Sequence, residues 1–157
     1  MAKQASVTIQ NLEAAFAGES MAHIKYRYFA KLAREAGAED VAKIFEETAD
    51  QEVMHAFVHL DLLYPKAQLT PAKALEIAIE GETYEYTEMY PKFRHLAVEE
   101  GNQAAVAEFD EQIAESKEHA ASFRSTLEKA AKRFAALTKV EERHANQYRK
   151  VLADTVK

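Results

Sequence analysis

The sequence predicts an all-α protein, a four-helix bundle with an additional C-terminal helix, and three observations carry that expectation. Only 4 glycines and 3 prolines interrupt 157 residues, too few turn residues for a sandwich or an alternating α/β fold. The breakers fall in a few places and leave segments of roughly 25 to 30 residues whose apolar positions recur at helical spacing. The two halves of the chain also match each other, as two helical hairpins would. The size suits one domain with a sizeable core.

Gly37 in EAGAED, the pair Pro65 and Pro71 in YPKAQLTP, and Gly101 in EEGNQA mark the breaks. They place a first helix over about 9–36, a second over 38–63, a third over 72–100 and a fourth from 102 onward. Thr70 before Pro71 is a helix N-cap followed by proline at the first helical position. Pro91 inside the third helix should bend it, because proline lacks the N–H and its ring collides with the preceding turn. Thr138 with Glu141 three residues on forms a capping-box pattern. That pattern predicts a separate last helix, a C-terminal extension over about 128–155 that follows hairpins at 9–63 and 72–127 in a single domain.

Composition removes several function classes. Lys+Arg number 20 against Asp+Glu 26, a net charge of −6, which argues against nucleic acid or an anionic membrane as partner. The chain contains no cysteine, so thiolate metal sites, iron–sulfur clusters and cysteine nucleophiles are excluded within it. No run of about 18 apolar residues is present, so no membrane span is expected. MAKQASVTIQ lacks the apolar core of a signal peptide, and a cytoplasmic location is expected.

The helical stripes are unusual in one respect. The first runs Leu12, Phe16, Glu19, His23, Tyr26, Ala30; the second Val41, Phe45, Thr48, Glu52, His55, His59, Leu62; the third Leu75, Ala78, Glu82, Glu85, Met89, Leu96. Each is apolar at its ends and carries carboxylate or imidazole in the middle. Buried carboxylates without a partner are costly, so acids at mid-stripe on three helices need a cation between them. The halves repeat this arrangement. AFAGES (15–20) matches AIEGET (78–83), and Gly37–His55 matches Gly101–His119 at a constant offset of 64, which sets Phe45 against Phe109. The second half carries one extra residue between its two glycines, which predicts a π-bulge near Pro91.

In QEVMH, Glu52 and His55 stand at i and i+3 on one helical face. Oxygen ligands with imidazole and no sulfur suit iron or manganese. A Glu from each of two helices plus Glu-x-x-His from the other two is the inward set of di-iron and di-manganese carboxylate bundles. Glu19 is the candidate on the first helix. Glu82, its duplicate, and Glu85, one turn on, are the candidates on the third.

AFAGES, ETADQE followed by HA, and GETYEYTEMYP resemble the rubrerythrins, a di-iron branch of the ferritin-like superfamily, over most of residues 10–125. The near-symmetric halves are similar to symerythrin-like members without a rubredoxin domain. The resemblance implies a ferritin-like bundle holding two iron ions, with manganese or zinc as substitutes, that reduces hydrogen peroxide to water. It implies Glu19, Glu52, His55, Glu82 and Glu85 as metal ligands and Tyr26 and Tyr90 as tyrosines lining the site. It also makes Glu85 the glutamate that engages or releases iron with redox state.

The family's fourth helix carries Glu-x-x-His, whereas the matching stretch here reads AESKEHA, with Ser116 three before His119. Glu115 and His119 are taken as the fourth-helix pair. Returning from Gly101 to the level of Glu85 takes about 16 residues at 1.5 Å rise. Glu141 and His144, at ideal spacing further on, are the rival pair. Without cysteine the chain needs an external electron donor, such as rubredoxin or a flavoprotein reductase. A ferritin-like iron oxidase or storage protein, and a non-enzymatic helical module, are the alternative functions. Finally, joining parallel second and third helices would stretch Tyr64–Pro71 across roughly 27 Å, near its full extension. A homodimer is therefore expected, with exchange of hairpins as the arrangement that relieves a taut linker.

Overall fold

A computed structural model describes residues 6–155, and among them there is helix and no strand. The helices are α1 (Val7–Glu35), α2 (Glu39–Leu63), α3 (Pro71–Tyr84), α4 (Tyr90–Glu99) and α5 (Gln103–Thr155), with a π-helical segment, Glu85–Met89, joining α3 to α4. Contacts divide the chain into two compact units, one ending at Leu69 and one beginning at Thr70. The first is the α1–α2 hairpin. In the second, α3, the π segment and α4 form one interrupted helix that packs on α5.

The helix ends are set locally. Ser6 caps α1 by accepting from the Ile9 N–H at 3.3 Å, and Thr70 caps α3 by accepting from the Lys73 N–H at 3.1 Å. Both hairpin turns use the same device. Gly37 takes φ 75° and Gly101 takes φ 72°. At the first turn the Ala38 N–H reaches the Ala33 carbonyl at 2.9 Å, and at the second the Asn102 N–H reaches Ala97 at 2.9 Å. These are Schellman closures, which need the left-handed backbone that glycine adopts without strain.

The extra residue of the second half is absorbed in the π segment. There the Tyr90 N–H donates to the Glu85 carbonyl, five residues back. Pro91 follows, has no N–H, and would crowd the carbonyl four residues before it in a regular helix.

The C-terminal extension is helical but is not a separate element, which corrects the capping-box expectation at Thr138. α5 runs unbroken for 53 residues, about 80 Å. The Thr138 hydroxyl donates to the Phe134 carbonyl at 3.0 Å, inside the helix, so it caps nothing. The linker between α2 and α3 is not drawn out either. Gln68 and Leu69 both donate to the Pro65 carbonyl, at 2.8 and 3.2 Å, which closes a turn.

Packing within each hairpin depends on small residues. Ala30, Ala42, Ala49 and Ala56 are buried in the first, and Ala97, Val106, Ser116 and Ala120 in the second. Aromatic trios lie beside them. Tyr26 and Phe29 meet Phe45 at centroid distances of 5.8 and 5.5 Å. Tyr90 and Phe93 meet Phe109 at 6.0 and 5.9 Å. Large apolar side chains such as Ile24, Ile44, Met54 and Phe57 in the first hairpin, and Tyr84 and Leu96 in the second, stay exposed.

Candidate metal centre

In the first hairpin, α1 supplies Glu19 and α2 supplies Glu52 and His55. One ligand atom from each lies within 4.8 Å of the others. Spacing accounts for the α2 pair, because i and i+3 share a face, and His55 Nδ1 stands 2.9 Å from Glu52 Oε2. A proton on Nδ1 makes that contact a hydrogen bond and leaves Nε2 as the lone-pair donor for a metal. The two helices are fastened one turn beyond Glu19, where His23 Nδ1 meets the Ala49 carbonyl at 2.7 Å. Tyr26 sits two turns beyond Glu19, its ring against Phe45.

In the second hairpin, α3 supplies Glu82, the π segment begins with Glu85, and α5 supplies His119. His119 Nδ1 lies 3.4 Å from Glu82 Oε2, without hydrogen-bond geometry. Glu82 Oε2 is buried and has no hydrogen-bond partner. Each histidine lies beside one glutamate of similar exposure. Glu52 and Glu82 are 18% and 21% accessible, and His55 and His119 are both 58% accessible. The Ser116 hydroxyl donates to Glu85 Oε2 at 2.9 Å. Tyr90 stands at the start of α4. Burial, and then the charges of Glu85, Glu108 and Glu82, push its phenol above the usual tyrosine value, which keeps it protonated and able to donate.

Glu115 is not brought to this group. It is exposed and accepts a hydrogen bond from Gln112 Nε2 at 3.4 Å. It is the adjacent position, Ser116, that faces inward. The sequence marks this position, since the offset of 64 pairs Ser116 with Glu52. Glu141 and His144 are exposed on α5, and His144 lies 25 residues past His119, about 37 Å along the helix. They cannot share a centre with Glu82 and Glu85.

The residues present fit a cation. A buried carboxylate oxygen without a partner is a costly group that a metal ion satisfies. In the first hairpin two carboxylates and one imidazole form a hard donor set of the kind iron, manganese and zinc accept.

A protein-family model described as Rubrerythrin matches residues 10–127. Nigerythrin of Nitratidesulfovibrio vulgaris is 41% identical over 114 residues, covering 65% of this chain and 56% of that protein. Symerythrin of Cyanophora paradoxa is 28% identical over 131 residues, covering 66% of this chain and 72% of that protein. A solved structure titled as the fully reduced, all-ferrous state of nigerythrin aligns over 83% of this chain and 70% of its own, at 34% identity and a TM-score of 0.40. The chain thus spans little more than half the length of nigerythrin. Among the described residues, no helix is long and apolar enough to cross a membrane.

Proposed function

This chain belongs to the rubrerythrin family, and we propose that it is a di-iron oxidoreductase that reduces hydrogen peroxide to water with electrons from an external donor. The observation that carries the reading is the pair of donor sets, Glu19, Glu52 and His55 in one hairpin and Glu82, Glu85 and His119 in the other. In the first, ligand atoms of two carboxylates and one imidazole lie within 4.8 Å of one another; in the second, His119 lies 3.4 Å from Glu82 and Glu85 is held by Ser116. Bound iron would supply reversible one-electron chemistry at each metal, with manganese or zinc as substitutes that leave the donor set unchanged.

The chain's own residues would do the rest. Glu82 and Glu85 hold negative charge where cations bind. Tyr90, kept protonated by its burial and its acidic neighbours, would donate a hydrogen bond to an incoming peroxide oxygen, with Tyr26 as its counterpart in the first hairpin. Breaking the O–O bond takes two electrons and two protons per peroxide and releases two waters. The electrons must come from outside, from a rubredoxin or a flavoprotein reductase, and a cytoplasmic location would give access to such donors. We also propose a homodimer, with exchanged hairpins as one arrangement: each hairpin by itself leaves large apolar side chains such as Ile24, Ile44 and Leu96 exposed, and apolar surface of this extent calls for a covering hairpin, which a second copy would supply.

Anaerobic loading with ferrous iron followed by stopped-flow mixing tests the activity. Fast oxidation by peroxide and slow oxidation by dioxygen is the expected result. Faster oxidation by dioxygen would overturn it.

A further inference from the structure

We propose that Ser116 is the positioning residue that lets Glu85 take, in the second hairpin, the place Glu52 holds in the first; this rests on reading these groups as a metal centre. The register that pairs the hairpins is physical as well as sequential. At the offset of 64, His119 pairs with His55, buried Ala120 with buried Ala56, and the trio Tyr90, Phe93, Phe109 with Tyr26, Phe29, Phe45. In that register Ser116 stands where Glu52 stands. Before the π segment the offset is 63. It pairs Glu82 with Glu19, and Glu85 with Ala22. Relative to the first hairpin, a carboxylate has been lost from the helix that carries the histidine and gained on the helix that faces it.

The two changes compensate in size and in charge. Ser116 is only 3% exposed. Serine leaves room for Glu85 and supplies the single O–H that a carboxylate oxygen accepts.

Its orientation is also distinctive. Ser20, Thr48, Thr87, Thr126, Thr138 and Thr155 all turn their hydroxyls back to the carbonyl four residues earlier in their own helix. Ser116 instead reaches from α5 to Glu85 at 2.9 Å. Its hydroxyl thereby fixes one Glu85 oxygen and leaves the other free as a ligand, so that the second hairpin keeps two carboxylates and one histidine.

Anaerobic titration with Co(II), followed by its visible absorption and by metal analysis, tests this without turnover. Wild type should bind two ions. Ser116→Ala should bind one of them about tenfold or more weakly, with an altered band for that ion, because a hydrogen bond to a charged group is lost. Ser116→Thr, which keeps the hydroxyl, should restore both affinity and band. Glu85→Ala should bind one ion, and Glu85→Ala with Ser116→Glu should regain the second. Wild-type affinity and spectrum in Ser116→Ala would overturn the proposal. So would a helical double variant, by circular dichroism, that still binds one ion. If the double variant does not fold, Ser116→Ala and Ser116→Thr decide. A wild type that binds two ions but leaves peroxide unreduced overturns the peroxidase reading alone.

Discussion

Gly37 and Gly101, 64 residues apart, hold the same left-handed backbone, φ 75° and φ 72°, and each lets the residue after it close back onto its helix. They fix where each hairpin turns. On the returning helices, Glu52 and His55 after one turn, and Ser116 and His119 after the other, stand at equal sequence distances from these glycines.

Alanine at either turn glycine should cost about 1 kcal/mol. No atom lies within 4 Å of an added Cβ at either position, so the cost is backbone strain without a clash. Gly18 makes an opposite control. It lies inside α1, also with open space around it, and Gly18→Ala should stabilise by up to about 1 kcal/mol. Urea denaturation of the three variants reads both signs.

Glu52→Ala should remove tight binding of at least one metal while the helices persist, as metal analysis and circular dichroism would show. Wild type should melt at higher temperature with metal than without, because a cation bound only by the folded state stabilises it by mass action. Equal melting temperatures would deny a folded-state site.

The raised Tyr90 phenol predicts a pH effect in the metal-free protein. The folded state holds this proton more tightly than the unfolded chain, where the ordinary value is 10.0. Its contribution is therefore fully present below about pH 10 and is lost as pH rises through the folded value. Tyr90→Phe should lack that loss, so the stability difference between wild type and variant should shift against wild type at alkaline pH. Denaturation of both proteins across pH 8 to 11 measures it, together with tyrosinate absorbance.

His119→Ala should lose one metal, whereas Glu141→Ala and His144→Ala should bind metal as wild type does. The distal pair lies about 37 Å along α5 from His119 and is exposed. Metal-to-protein ratios after anaerobic loading and desalting separate the outcomes.

Helix boundaries, the duplication and the mid-stripe acids were legible in the sequence because their causes are local. A positive-φ glycine, a Thr–Pro cap and an i, i+3 pair act within a turn or two of the residues that encode them. The one-residue excess in the second half likewise predicted a π segment, and Glu85–Met89 is that segment. Other features depended on neighbours distant in the chain. Thr138 is equally suited to cap a helix or to bond back to Phe134, and an unbroken α5 takes the second course. Glu115 and Ser116 are adjacent, and one residue turns a helix by about 100°. Which of them faces Glu85 was therefore decided by how α5 packs on the helix opposite. Sequence alone established that carboxylates and histidines recur at matched positions in two hairpins. The tertiary packing decided that Ser116, and not the neighbouring Glu115, meets Glu85, because α5 packs with that face toward the π segment and brings the hydroxyl within 2.9 Å of the carboxylate.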